Sequence, residues 1–194
     1  MKNNLLYFSI LFVLILNVNF KVTAQELEIN SSKIQYDNIN KVTVFEGNVS
    51  SSDEKGNKIF SEYAKYNKLK EVIETKGSTK IITSGEYEIF SRDVVFDNAK
   101  NLIYSNNKTK IIDKVGNNIS VEMFSYSILT NIFFSKGNIE IKDINNNNYN
   151  FSEIYIDENK KKIIGSDIKA FLNQSDISIN SDNDPRFFAN TMSF

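Results

Sequence analysis

Three carboxylates stand sixty residues apart in this chain, at Asp37, Asp97 and Asp157. A pair of carboxylates is the minimal equipment for general acid–base work such as glycoside hydrolysis. The chain has no histidine and no cysteine, which removes the commonest general base, the thiol nucleophile and zinc sites of the His/Cys type. Each of the three aspartates also opens a short polar stretch: Asp37-Asn38, Asp97-Asn98, Asp157-Glu158. Aspartate in that setting hydrogen-bonds the backbone a few residues on and makes a turn. The carboxylates are therefore expected to shape corners. No catalytic residue, metal or cofactor is expected, and the chain does not read as an enzyme.

The elements that carry those corners repeat. A step of thirty from Ile29 gives Ile59, Ile89, Ile119, Tyr149 and Ile179; from Ile34 it gives Ala64, Val94, Phe124 and Ile154; from Tyr36 it gives Tyr66, Phe96, Tyr126 and Ile156. Such self-similarity marks stacked units, none of which buries its apolar face alone. Segments such as Lys41-Val42-Thr43-Val44-Phe45 and Asn138-Ile139-Glu140-Ile141 alternate and favour β-branched and aromatic residues, the period-two signature of strands. Two families of turn signals per repeat predict two strands of roughly ten residues each, joined as an antiparallel meander. The series Gly47, Gly77, Asn107, Gly137 falls inside one of those strands and predicts a bend repeated in register. The expected fold is all-β: a bent meander of five repeats, two sheets facing one another across a uniformly apolar slot. The residues expected to line the slot are Ile29, Ile34, Tyr36, Val44, Ile59, Tyr66, Ile81, Ile89, Phe96, Ile111, Ile119, Tyr126, Phe134 and Ile141. An apolar stripe at strand spacing is more often packed core than a ligand site. A structural β-solenoid without a lipid ligand is the alternative of another class.

Composition sets the surroundings. Net charge is -1 with 24% charged residues, so no basic excess draws the chain to nucleic acid. Lys2, the apolar run from Leu5 to Leu16 and the small residues Val22-Thr23-Ala24 read as a signal peptide over residues 1–24, with a retained anchor as the alternative. Residues 25–182 then form one domain, and residues 183–194 a tail.

The phrase Ile34-Gln35-Tyr36-Asp37, followed by Val44-Phe45-Glu46-Gly47-Asn48-Val49, resembles the repeat of the OstA-like lipopolysaccharide-transport (Lpt) jellyroll domain. Weaker copies follow at Ala64-Lys65-Tyr66-Asn67 with Lys76-Gly77, at Val94-Val95-Phe96-Asp97, and at Phe124-Ser125-Tyr126 with Gly137-Asn138-Ile139. The resemblance covers roughly Glu26 to Ile179. It implies an open β-jellyroll in the periplasm, associated with the outer membrane, whose groove carries the acyl chains of lipopolysaccharide. It implies partners too: other Lpt jellyrolls docked end to end through strand edges, here expected at Leu27 and Ile29 and at Ile177 and Ile179. Asn183-Asp184-Pro185-Arg186 looks like the lead into a barrel, which places the chain nearest the N-terminal part of LptD-type proteins, with an outer-membrane barrel as partner if the gene continues. An LptA-type bridge is the alternative.

Overall fold

A five-residue reversal recurs at one place in each repeat, and one side chain explains it each time. The backbone N–H of the residue three further on donates to Asp37, Asn67, Asp97, Ser127 or Asp157, at 3.0, 3.1, 3.0, 3.3 and 3.0 Å. The expected turn role of the aspartates is what the structure shows. The closing residue of four of these turns, Lys41, Glu71, Asn101 and Asn131, has φ of 53° or 54°. A second family reverses the chain at the other end of the strands, where Asp113 and Asp143 each accept two backbone N–H groups.

The structure is a computed structural model that describes residues 28–52, 56–160, 162–172 and 186–193. Sixteen strands are found among the described residues, and no helix. They begin with β1 (Glu28–Asn30), β2 (Lys33–Asp37), β3 (Val42–Ser52) and β4 (Lys58–Asn67). Eight short strands follow: β5 (Val72–Thr75), β6 (Ser78–Ile82), β7 (Glu88–Arg92), β8 (Val95–Asp97), β9 (Leu102–Ser105), β10 (Thr109–Ile112), β11 (Asn118–Val121) and β12 (Phe124–Ser127). The chain ends in β13 (Ile132–Lys142), β14 (Asn148–Asp157), β15 (Lys162–Phe171) and β16 (Arg186–Ser193).

All pairing is antiparallel, and the sheet is folded along its middle into two leaves. The first leaf runs β2, β3, β4, β5, β8, β9, β12, β13. The second runs β1, β3, β4, β6, β7, β10, β11, β13. Long strands β3, β4 and β13 to β15 pass through both leaves. In the middle repeats each expected ten-residue strand is split in two at the fold. Bulges mark that line in β3, between Glu46 and Val49, and in β13, between Lys136 and Ile139. Gly47 and Gly137 there have φ of 72° and 109°, which L side chains rarely adopt. Asp167, the fifth member of the same thirty-residue series, bends β15 with φ 51°.

The interior is not uniformly apolar, and this corrects the expectation. Along the fold, where the ladder is interrupted, hydroxyl side chains face inward. Thr79 donates to Thr75 at 2.7 Å, Ser91 and Thr109 share a 2.7 Å bond, and Ser105 and Ser135 each donate to a backbone carbonyl at 2.7 Å. They take up hydrogen bonds that the broken ladder leaves unmade, which a buried corner requires. Beside them Val94, Phe124, Ile139 and Ile154 are fully buried.

Candidate functional site

Strand register gives the inner face of each leaf one continuous row. On the second leaf Ile29, Ser51, Ile59, Ile81, Ile89, Ile111, Ile119, Ile141, Tyr149 and Ala170 stand opposite one another in turn. On the first leaf the row is Tyr36, Thr43, Tyr66, Ile73, Phe96, Ile103, Tyr126, Phe133, Ile156 and Ile163. Directly opposed antiparallel partners lie on one face of a sheet. Both rows therefore look into the space between the leaves.

Exposure divides these residues. Ile81, Ile89, Phe96, Ile111 and Ile119 are buried in a packed core. Ile29, Ile59, Tyr66, Tyr126 and Ile141 are half-buried and pack against it. Ile34 and Tyr36 are 58% exposed although their register puts them on the inner face, because β2 is an edge strand. Val44 and Phe134 are corrections. Val44 stands opposite Lys65 and is one residue out of step with the inward Phe45. Phe134 lies on the outer face, its ring 4.7 Å from that of Tyr155. Both sit in runs where neighbouring residues are apolar too, so alternation alone fixes no parity.

Leu27, Ile177 and Ile179 lie outside the described residues. The last described strand is β16, which pairs with β15 from Arg186 onward. Residues 186–193 thus belong to the sheet and are not a tail apart from it. Among the described residues, β1 and β2 pair only with β3, and β16 only with β15, so each has one free edge.

Polar groups meet at the half-buried margin. The Tyr126 hydroxyl lies 3.0 Å from Glu158 Oε2 and 3.1 Å from Asn131 Oδ1. Burial above all, then the Glu158 carboxylate and Tyr87, holds the Tyr126 phenol well above its usual range. Tyr87 lies just before β7 on the second leaf and is raised by burial, then by Glu158 and Asp113. Groups from both leaves therefore share one electrostatic neighbourhood. A hydroxyl turned to the rim with its ring in the core suits an apolar space that borders water.

Sequence reasoning missed Ile103, Ile163 and Tyr87 on these margins, and left Ile156 off the slot lining although it closes the Tyr36 series. For Ile103 and Ile163 a signal was there: Ile73, Ile103, Phe133 and Ile163 form a thirty-residue series of their own. It also missed a depression of about 580 Å³ on the outer face, lined among others by Phe60, Phe90, Lys80, Arg92 and Lys108. Lys80 pairs with Glu88 at 3.0 Å and lies 5.2 Å from the Phe90 ring centroid. Among the described residues no cluster of His, Cys, Asp or Glu could hold a metal ion.

No protein-family model and no curated protein matches the chain. Among solved structures it is similar to LptH of Pseudomonas aeruginosa, described as the LptA-homologous periplasmic component of the lipopolysaccharide transport device. The two share 11% identity over 85% of this chain and 94% of that one, with a TM-score of 0.31. A superposition that loose carries no argument about function.

Proposed function

We propose that this chain conveys the acyl chains of lipopolysaccharide through the periplasm, held along the half-buried margin between its two leaves, as the N-terminal part of an LptD-type protein does. The observation that carries the reading is the pair of continuous inner rows. Tyr66, Ile103, Tyr126 and Ile156 on one leaf and Ile59, Ile141 and Tyr149 on the other remain half-buried. A hydrocarbon tail laid against them gains about 0.8 kcal/mol per methylene removed from water. Evenly repeated side chains offer that gain at each step without a deep trap. The motif resemblance supplies the lipid class. Free edges at β1, β2 and β16 suit docking of further jellyrolls by strand addition. A second reading, an LptA-type bridge, is favoured by β16, since Arg186 and the residues that follow it pair along β15.

The test is site-specific photo-crosslinking with purified lipopolysaccharide. A photoreactive residue at Tyr66 is expected to label the lipid, and one at Phe134, on the outer face, is not. Equal labelling at both positions, or none at either, would overturn the proposal.

A further inference from the structure

We infer that the space between the leaves has one open end, at β1 and β2, and is stopped at the other by the ring of Phe151. This rests on the carrier reading and adds a direction to it. At the β2 end the inner face lies bare: Ile34 and Tyr36 are each 58% exposed. At the opposite end Ile156 and Ile163 are half-buried at the margin, and the face nearer the fold is shut in. Phe151, Ile154, Ile168 and Ala170 are all buried, with Ile154 at 0% and Ile168 at 2% exposure.

The stop has a definite contact. Phe151 belongs to the second leaf and Gly165 to the first. A Cβ built on Gly165 would lie 2.5 Å from Phe151 Cδ1 and 2.8 Å from Cε1. The backbone φ of Gly165 is not the left-handed kind, so the glycine answers to space and not to backbone shape. The missing side chain is what lets the ring lie across the fold from one leaf to the other.

The thirty-residue series at the fold show how the stop is built. Ser61 and Ser91 give way to Val121 and then Phe151, and in the series Val49, Thr79, Thr109, Ile139 the largest side chain again comes last. The series that faces them shrinks from Phe45 through Thr75, Ser105 and Ser135 to Gly165. Phe45 fills the fold at the first end, yet β2 extends the inner face beyond it and leaves that face uncovered. Beyond Phe151 the edge of the next strand, β15, is paired along its length by β16. A tail entering past Tyr36 therefore advances along the half-buried margin and halts in the fourth repeat. Passing further requires the Phe151 ring to swing away.

The test places photoreactive residues at Tyr36 and Tyr66 on the open side and at Ile156 and Ile163 on the far side, with lipopolysaccharide as probe. Labelling is expected at the first two and at background at the last two, and Phe151→Ala is expected to raise labelling at Ile156 and Ile163 to the level of Tyr66. Phe151→Leu, checked by circular dichroism, serves the same purpose if the alanine variant does not fold. Equal labelling at all four positions of the parent, or no gain in a folded Phe151 variant, overturns the stop while the carrier reading stands. No labelling at any position overturns both.

Discussion

Gly165 shows how much one absent methyl can decide. Alanine there would drive into the Phe151 ring, and overpacking of this kind costs about 1–3 kcal/mol. Urea denaturation of Gly165→Ala is expected to show that loss, and adding Phe151→Leu is expected to return part of it, because the two residues share one space. The turn aspartates give a second expectation at this scale. Asp97 is held below its ordinary value of 3.8 by its bond to Lys100, and Asp37 and Asp157 by turn hydrogen bonds. A carboxyl depressed in the folded state stabilises the fold above its unfolded value and loses that contribution as acid takes the pH through the lower, folded one. Stability is therefore expected to hold down to about pH 5 and to fall below about pH 4. Asp97→Asn is expected to flatten that fall while keeping the turn, since Asn67 makes the same backbone bond in the preceding repeat. Urea midpoints against pH check both statements. The turn role of these aspartates was legible from sequence, because a turn is a local device that needs only its own few residues.

Between elements, legibility depended on alternation. Inner positions flanked by polar residues, such as Ile119 and Ile141, stand out from alternation as inward. Val44 and Phe134 did not, because their runs are apolar on both faces and only pairing with Lys65 and Tyr155 decides. The hydroxyls of the fold were invisible for a related reason. Thr75, Thr79, Ser91 and Thr109 look like solvent-facing residues until two leaves close over a broken ladder and make them the partners it needs. Burial also separates two groups that sequence lumped together. Ile89 lies in the packed ladder between Ile81 and Ile111, at 9% exposure. Ile89→Lys is expected to destabilise the protein by about 3–5 kcal/mol, as an unpaired buried charge does. The half-buried Ile59 is expected to tolerate the same change with a smaller loss, and thermal unfolding of the two variants compares them. Tests of lipid capture therefore belong on the half-buried margin, not on the core ladder.

Across the whole molecule, each described strand pairs within its own repeat or with a neighbouring one, and no described strand pair joins distant repeats. Reversals at residues 68–71, 98–101 and 128–131 sit one repeat apart. Length is thus a free variable of this architecture. Excising residues 68–97 would rejoin Asn67 to Asn98 with every reversal, bulge and inward side chain still in phase, yielding a shorter trough of the same cross-section. Removing one residue fewer would turn a whole strand inside out. A lineage or an engineer can fit such a protein to a wider or narrower gap by copying or cutting whole modules, and by no smaller step.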